Sequence, residues 1–544
     1  MKTDVLIAGA GPVGLSLALE LANHGVRSVV LERKAKNAKT TVRCNHVSSR
    51  SMEFFRKNGL ADLVRSVGLP ADYAQDVSYR TTTTGKEIAR IHIAARGDRH
   101  TLRDTGVDSR WPTPEPPQRV NQLYLEPIMV EAVLQRPEIT LLFEHEMVEF
   151  SQTADSVTAR VRRADGSEIA IEAAFLGGCD GGNSPVRKAI GAELHGDAVI
   201  QRVQSTYLRA PDLIARMNVP PCWAMFSMNP RRIGNIYAID GKELWLVHNY
   251  LRDSEPDFDS VDRDASIRAI FGVGDDFEYD VLNIEDWYGR RLVVDKLREG
   301  RVFLAGDAAH LWVPYAGYGM NAGIADALDL GWMLAAVVKG WGGEALLQAY
   351  VTERGAITDQ VSRFAMDHCI KMAAQRSSVP AEIEAETPEG AAARLRMGKE
   401  AYDLNVQQYC AAGLNYGYYY EGSPVIVYDG EAAPSYSMSE YTPSSVPGCR
   451  LPHFWLADGV SLYDRLGMGY TLVRTDPAEN ATAILAAGEQ AGVPITLLDV
   501  TPAAEVAEYY HYPLLLVRPD QHVAWRGQAA DVDAAQLIDT IRGA

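Results

Sequence analysis

The first thirty-two residues constrain the fold more strongly than any other part of the chain. A β-branched run at 4–8 predicts a buried strand, a glycine cluster occupies 9–14, and apolar residues at helical spacing follow. A second strand-like run at 26–31 ends in Glu32, 18 residues after Gly14. Such glycines allow a tight turn that brings a phosphate group close to the start of a helix. The Glu32 carboxylate can accept a hydrogen bond from a ribose hydroxyl. The order predicts a dinucleotide-binding βαβ unit; an ordinary βαβ unit with a glycine-rich turn is the alternative.

Length and composition limit the classes of protein to which the chain can belong. Its 544 residues, 47% of them hydrophobic and 23% charged, predict a globular enzyme of about three or four domains or large subdomains. The net charge of −18 makes nucleic acid and anionic lipid poor partners. None of the six cysteines has metal-ligand or CxxC spacing, so we expect no metal site and a reducing compartment. Without a signal-peptide pattern or a long apolar run, a cytoplasmic protein with no membrane segment is expected.

Two further clusters of glycine and acid follow strand-like runs. Asp180 comes after an apolar approach and precedes Arg187 on a predicted helix; alone, this is an Asp-Gly turn with a capping serine. Asp307 follows the strand-like run 301–305, and open α/β sheets bind ligands at the carboxyl ends of their strands. The glycines of 317–323 lead into a helix, whose N-terminus would stabilise negative charge. The chain therefore carries three candidate ligand-binding turns.

These three clusters, in this order, resemble the patterns GxGxxG with a distal acid, DGxxSxxR and GDAAHxxxPxxGxGxN. The patterns are those of the FAD-dependent aromatic hydroxylases, the para-hydroxybenzoate hydroxylase and phenol hydroxylase superfamily, and they can be read without gaps over residues 4–355. Segments 43–53, 111–117 and 119–126 are most similar to phenol hydroxylases of the 2,4-dichlorophenol 6-monooxygenase type.

The resemblance implies which residues would hold a non-covalent FAD. The first turn and the acid after the second strand would hold the adenosine and the pyrophosphate. Asp307 would bond the ribityl chain, and Met320 and Asn321 would offer backbone N–H groups to the flavin ring. Asp180 would belong to a segment linked with both FAD and nicotinamide use. The full set of implied cofactor ligands is Gly9, Gly11, Pro12, Val13, Gly14, Glu32, Arg33, Arg43, Gln122, Met147, Asp180, Asp307, Pro314, Gly317, Gly319, Met320 and Asn321.

The implied fold class is α/β. A Rossmann-like FAD-binding domain of the glutathione-reductase type would be interleaved with an α+β substrate domain of mostly antiparallel sheet, and a thioredoxin-like domain would follow at the C-terminus. Alternating residues between 224 and 250 predict the antiparallel sheet independently, and the composition of 377–395 indicates an exposed linker. The predicted segments are 1–75, 116–185 and 291–375 for FAD binding, 76–115 and 186–290 for the substrate domain, 376–439 for a helical or linker region, and 440–544 for the C-terminal domain.

The implied reaction is the hydroxylation of a phenolic or hydroxy-heteroaromatic ring by O2, by way of a flavin C4a-hydroperoxide. NAD(P)H would be a transient co-substrate, and a small aromatic molecule and O2 would be the substrates. Asn45, His46 and Tyr237 are the candidate catalytic residues, with His248 and Tyr250 as further candidates. A phenol hydroxylase has an Asp near the position of Asn45, and this chain has none there.

Other functions stay open at this level. An FAD-dependent oxidase or dehydrogenase of a small hydrophobic substrate could use the same fold, and so could a flavin-bound sensor without turnover. A halogenase would need a WxWxIP motif, which the chain lacks. The C-terminal domain has no CxxC, so a structural or oligomerisation role is favoured over thiol exchange, and a homo-oligomer, dimer or higher, is expected.

Overall fold

The computed structural model describes residues 1–38, 42–100, 107–109 and 111–544. Parts of the predicted segments 1–75 and 76–115 therefore lie outside the described residues. The described residues form a mixed α/β protein with three sheets, which confirms the predicted α/β fold class.

The chain contains runs of helices and runs of strands in mixed order. The first part contains β1 (Lys2–Ala8), α1 (Pro12–Asn23), β2 (Ser28–Glu32), α2 (Ser49–Lys57), α3 (Ala61–Ser66), β3 (Val77–Arg80), β4 (Glu87–Ile91), α4 (Gln122–Leu134), β5 (Ile139–Phe143), β6 (His145–Gln152), β7 (Val157–Arg163) and β8 (Glu168–Gly178). The middle part contains α5 (Pro185–Ala189), β9 (Leu194–Arg209), β10 (Ala224–Ser227), β11 (Gly234–Ala238), β12 (Leu244–Tyr250), α6 (Arg263–Phe271), β13 (Asp280–Ile284), β14 (Trp287–Val294), β15 (Arg298–Glu299), β16 (Val302–Leu304) and β17 (His310–Trp312). The last part contains α7 (Tyr318–Val338), α8 (Glu344–Ser377), α9 (Pro388–Tyr409), α10 (Ala412–Tyr416), α11 (Leu462–Arg465), β18 (Tyr470–Arg474), α12 (Thr482–Gln490), β19 (Ile495–Asp499), β20 (Leu514–Val517), β21 (Val523–Gly527) and α13 (Ala534–Ile541).

The first sheet is built around the N-terminal strand. Its strands run in the order β15-β16-β8-β1-β2-β5, with β6 and β7 attached beside β8. The four central pairings, β16 with β8, β8 with β1, β1 with β2 and β2 with β5, are parallel. Strands buried on both faces need continuous apolar runs, and Val5, Leu6 and Ile7 are fully buried. The predicted βαβ unit at the start of the chain is confirmed.

The second sheet is mostly antiparallel, as the alternation between 224 and 250 predicted. Its order is β17-β14-β9-β12-β11-β10-β3-β4, with β13 paired to β9. Within the described ranges, only the β10 and β3 pair is parallel. One face of this sheet lines a cavity that also borders the carboxyl ends of strands in the first sheet.

The interpretation of 377–395 as an exposed linker is wrong at Ser377 and over 388–395, which are helical, although most residues of the range are exposed as predicted. Helix α8 continues to Ser377 and α9 already begins at Pro388. The residues that suggested a linker are helix-start signals, because the Thr387 side chain accepts from the Gly390 N–H and Pro388 occupies the first turn. Helix α9 lies directly on β4, since a Cβ at Gly398 would stand 2.3 Å from the Ile88 carbonyl oxygen.

Helix α7 runs through the core beside α1. Among the described residues it is the one helix that is long and apolar enough to cross a membrane, judged by length and composition alone. Of its apolar window, 78% is buried inside the protein, and a core helix passes the same test.

The third sheet belongs to the C-terminal part of the chain. Its order is β19-β18-β20-β21, parallel between β18 and β19 and antiparallel elsewhere. Between β19 and β20 the chain forms a short 3-10 turn at Ala507–Tyr509. The sheet packs on the α7 region through a perpendicular contact between the rings of Trp332 and Tyr470, whose centres are 6.2 Å apart.

A buried ion pair joins this C-terminal part to α8. Arg518 donates two hydrogen bonds to the Glu353 carboxylate, at 2.6 and 2.8 Å, and one to Asp520 at 2.5 Å. The Arg518 and Glu353 side chains are both 0% exposed. Because a buried charge that loses its partner is expensive, this pair fixes how the two parts dock.

We therefore expect Arg518→Met to lower the free energy of unfolding by about 3–5 kcal/mol. Arg474→Met is the matched control, since Arg474 pairs with Asp499 at a partly exposed site and its loss should cost less than about 1 kcal/mol. Urea-induced unfolding of the two variants measures the difference. Equal losses in the two variants would contradict the proposed docking role.

Candidate active site

One cavity of about 1000 Å³ lies between the carboxyl ends of strands in the first sheet and one face of the second sheet. All of the residues that the sequence predicted for the site line it, except Gly14 and Asn321. Those that line it are Gly9, Gly11, Pro12, Val13, Glu32, Arg33, Arg43, Asn45, His46, Gln122, Met147, Asp180, Tyr237, Asp307, Pro314, Gly317, Gly319 and Met320. The cavity therefore brings together residues from all three glycine clusters and from the antiparallel sheet.

The first glycine turn is too tight for side chains. Gly9 has a φ of +101°, and a Cβ there would stand 2.4 Å from the carbonyl oxygen of Cys179. A Cβ on Gly14 would stand 2.0 Å from the Gly9 oxygen, so Gly14 closes the turn from behind and does not reach the cavity. No side chain caps the start of α1, which leaves backbone N–H groups of its first turn directed at the cavity.

Glu32 stands beside this turn at the end of β2. Its carboxylate accepts hydrogen bonds from the backbone N–H groups of Ala10, at 3.2 Å, and Lys34, at 2.9 Å. The two contacts fix the carboxylate at the cavity wall. Each oxygen keeps a lone pair that a ligand hydroxyl can use.

Two further carboxylates of the cavity lining, Asp307 and Asp180, have unused acceptor atoms. Protein surrounds Asp307 on most sides, but its side chain faces the cavity and is therefore accessible to solvent. This enclosure raises its pKa above the usual range, against the opposing effects of His310 and Arg43. Asp180 accepts from the Val186 N–H at 3.0 Å through one oxygen, whereas its other oxygen is buried and has no partner among the described residues.

Asp326 on α7 holds the Asp307 turn in place, a role that the sequence did not indicate. Its carboxylate accepts from the Gly306 N–H at 3.0 Å, from His310 Nε2 at 2.7 Å and from Arg354 Nε at 2.8 Å. Burial alone would raise the pKa of Asp326, but the charges and hydrogen bonds of Arg354 and His310 lower it to about 2. The carboxylate thus stays ionised and ties the turn to α7 and α8.

Asn321 fixes the segment that carries Asn45 and His46. Its side-chain oxygen accepts from the Ser48 N–H and the Ser51 hydroxyl, both at 2.8 Å. Its side-chain nitrogen donates to the backbone oxygens of His46, at 3.1 Å, and Gly317, at 2.6 Å. Asn321 therefore lies behind the cavity wall and joins two of its segments, whereas Met320 lines the cavity.

His46 is buried, and Arg119 donates to its Nδ1 atom. Burial, together with the charges of Arg119 and Arg99, holds the pKa of His46 well below its usual range. A neutral ring whose Nδ1 accepts a hydrogen bond carries its proton on Nε2. His46 can thus donate to a ligand oxygen but cannot act as a base through the same atom. The Asn45 side-chain oxygen is occupied as well, by the Asn121 amide at 2.5 Å.

Aromatic rings line the end of the cavity that belongs to the second sheet. The Tyr237 ring contacts those of Trp223 and His248, with centres 5.4 and 5.6 Å apart. Burial raises the pKa of the Tyr237 hydroxyl and, with the charge of Arg376, lowers that of His248 to about 4, so both are neutral near pH 7. Trp245, which lies on the same sheet, is fully buried in the core and does not line the cavity. Lining residues that sequence reasoning missed are Arg119, Trp287, Trp312, Tyr315, Gln408 and Tyr409.

The rim of the cavity carries charged residues. Arg43 donates to Glu285, which links the N-terminal segment to the second sheet at an exposed position. Gln122, at the start of α4, donates to Glu126 at 2.9 Å. The segment that Gln122 begins is tied to Cys44 by a backbone hydrogen bond of 2.8 Å.

Comparisons with known proteins agree with this geometry. A family model described as FAD binding domain matches residues 2–365, and one described as aromatic-ring hydroxylase, C-terminal, matches residues 444–543. An FAD-dependent monooxygenase of Emericella nidulans is 30% identical over 96% of this chain and 87% of its own length. The 2,4-dichlorophenol 6-monooxygenase of Cupriavidus pinatubonensis is 29% identical over 100% of this chain and 96% of its own length.

A solved structure agrees with the two sequence relatives. The structure of the rebeccamycin biosynthetic enzyme RebC with reduced flavin matches this chain with a TM-score of 0.89 and 32% identity. The match covers 100% of this chain and 99% of that one. The family predicted from the three glycine clusters is confirmed: the chain belongs to the FAD-dependent aromatic-ring hydroxylases.

Proposed function

We propose that this protein is a monooxygenase that binds FAD non-covalently and uses NAD(P)H and O2 to hydroxylate a phenolic or hydroxy-heteroaromatic ring. The observation that carries the proposal is that one cavity has two kinds of lining. Its one end presents glycine turns and carboxylates, and its other end presents aromatic walls. A nucleotide cofactor and an aromatic substrate thereby share one enclosed space.

The residues at the first end fit FAD. Gly9 and Gly11 leave room for a pyrophosphate at the start of α1, and Glu32 is placed for a ribose hydroxyl. The exposed carboxylate of Asp307 and the unpartnered oxygen of Asp180 are acceptors for cofactor hydroxyl groups. Gly317, Gly319 and Met320 would border the flavin ring. When bound, FAD supplies the redox chemistry and the activation of O2.

The residues at the second end would position the ring and exclude water. The walls formed by Trp223, Phe226 and Tyr237 suit a flat apolar molecule. His46 donates through Nε2 to the substrate hydroxyl, which orients the ring relative to the flavin end. Excluding water matters because activated oxygen is otherwise lost as hydrogen peroxide.

Several finer assignments belong to this proposal. We take the first sheet to be of the glutathione-reductase type and the C-terminal part to be thioredoxin-like, supported by its β-α-β-β-β-α order. The predicted boundaries 1–75, 76–115, 116–185, 186–290, 291–375, 376–439 and 440–544 stay predictions. So do the transient visit of NAD(P)H, the homo-oligomer and the cytoplasmic location.

Asp307→Ala should weaken FAD binding, because a charge-assisted hydrogen bond is worth about 1.5–3 kcal/mol. The dissociation constant of FAD should rise about tenfold or more when the apoprotein is titrated and flavin fluorescence is followed. Asp403→Ala, which removes an exposed carboxylate on α9, is the control and should leave FAD binding unchanged. If Asp307→Ala retained FAD as tightly as the parent, the assigned contact would be wrong.

The reaction itself is tested with labelled dioxygen. The holoenzyme should consume NAD(P)H and place one 18O atom from O2 into the product for an accepted member of a panel of phenols, hydroxypyridines and larger hydroxyarenes. Mass spectrometry of the product measures the label. Label confined to water or peroxide across the panel would indicate an oxidase instead.

His46→Ala should keep FAD and yet produce more hydrogen peroxide per NAD(P)H, since the substrate loses its donor. His46→Gln, which keeps an N–H donor, should recover part of the coupling. Because burial and Arg119 keep the pKa of His46 well below 6.5, coupling in the parent should show no step near pH 6.5. A step there that disappears in His46→Gln would show that the residue titrates and acts as a base.

A further inference from the structure

Two arginines beside the aromatic end of the cavity have no acidic partner among the described residues. Arg119 is 2% exposed and lines the cavity. It donates to His46 Nδ1 and to the Tyr409 backbone oxygen, at 3.1 Å for the latter, and its guanidinium carbon lies 4.6 Å from the centre of the Trp223 ring. Its Nε–H is buried without a partner among the described residues.

Arg376, from the end of α8, lies behind the wall of the same end. It is 7% exposed, and its guanidinium carbon stands 3.9 Å from the centre of the Tyr250 ring. It donates to the Tyr315 hydroxyl at 3.3 Å, whereas its Nη2 has no partner in the part of the chain that the structure describes. Tyr250 and Tyr315 both line the cavity.

In other buried arginines of this protein, the charge is offset by a carboxylate or by several hydrogen-bond acceptors. Arg354 faces Asp326 and Arg518 faces Glu353, whereas Arg80 donates to one serine hydroxyl and three backbone carbonyls. Arg119 and Arg376 form no ion pair with any described Asp or Glu. Burying a cation without a counter-ion is costly, and the cost falls when an anion binds.

The charges around this end of the cavity have one sign. The polar lining residues near the aromatic rings are neutral groups such as Gln201, Ser205 and Gln408. Glu285, on the rim, is already paired with Arg43. Asp307 lies at the other end of the cavity, among the glycine turns. Tyr237 lies within electrostatic range of both Arg119 and Arg376. The space beside Tyr237 is therefore positive.

We infer that the aromatic substrate binds as an oxyanion, a carboxylate or a phenolate, which pairs with Arg119, while Arg376 adds positive potential from behind Tyr250. The inference rests on the proposed function, whose substrate class it narrows. Arg119 touches His46, so the oxyanion and the His46 N–H donor would meet the same part of the substrate. An ionised hydroxyl needs no carboxylate base, which agrees with the absence of an Asp at position 45.

The charge of Arg119 persists under working conditions. Burial lowers the pKa of its guanidinium to about 10, which still leaves it protonated at neutral pH. Charge-assisted hydrogen bonds to a guanidinium are among the stronger polar contacts in proteins, and they select planar oxyanions.

Binding to the oxidised holoenzyme tests the inference without turnover. The probes are matched pairs: 2-naphthoate with 2-naphthamide for a carboxylate, and pentafluorophenol, ionised at pH 8, with pentafluorobenzene for a phenolate. Changes in flavin absorbance report the dissociation constants. The anionic member of at least one pair should bind about tenfold or more tightly than its neutral partner, and the pair that responds identifies the source of the oxyanion. No preference for the anion in either pair overturns the inference.

Variants test which residues cause the preference for the anionic probe. Arg119→Met should abolish it, Arg119→Lys should keep part of it, and Arg376→Met should reduce it. Arg290→Met removes one positive charge from the same sheet outside the cavity lining and should leave it intact. A preference that survives Arg119→Met overturns the assignment; if that variant does not fold, Arg119→Lys and the parent's probe pairs decide. Failure of the proposed function would appear separately, as normal anion binding without 18O in any product.

Discussion

The close packing of the first glycine turn against the end of β8, the Asp307 turn and α7 is the constraint on which the rest of the structure depends. A Cβ on Gly306 or Gly323 would stand 2.8 or 2.6 Å from a Val13 methyl carbon, and a Cβ on Gly9 would collide with the Cys179 carbonyl. The start of α1, the end of β8, the Asp307 turn and α7 can therefore share one site only because glycines stand at these contacts. This packing places helix N-termini and strand ends around a single space, where a phosphate-bearing ligand is stabilised.

Buried polar groups hold this arrangement rigid. Asp326 connects the Gly306 N–H, His310 and Arg354, and Asn321 connects Ser48, His46 and Gly317. Each group satisfies acceptors and donors that would otherwise be buried without partners. Neither residue lines the cavity. Their effect is to keep the cavity wall in one geometry, which a site that positions a ring against a cofactor requires.

The aromatic end lacks an Asp at position 45, as the sequence already shows. Instead of a carboxylate base near Asn45, it has a neutral His46 held by a buried Arg119. A cation beside a hydrogen-bond donor stabilises an oxygen that is already negative, whereas a carboxylate would remove a proton from a neutral one. The electrostatics of this end thus favour binding over proton abstraction as the role of its polar residues.

The sequence alone determined the nucleotide end of the site. Gly9–Gly14, Glu32, Asp180 and Asp307 follow their strands at fixed short distances, so local pattern sufficed to predict them. The tertiary structure decided the aromatic end. Tyr409 is the last residue of α9, in the segment 376–439 that was predicted only as a helical or linker region. The burial of Arg119 depends on contacts with Trp223 and Tyr409, far along the chain. Asp326 likewise has the sequence pattern of an ordinary helical residue. Its role depends on Gly306 and Arg354, which are 20 and 28 residues away in the sequence. Residues whose role comes from partners distant in sequence carry no local signal, because packing alone brings those partners together.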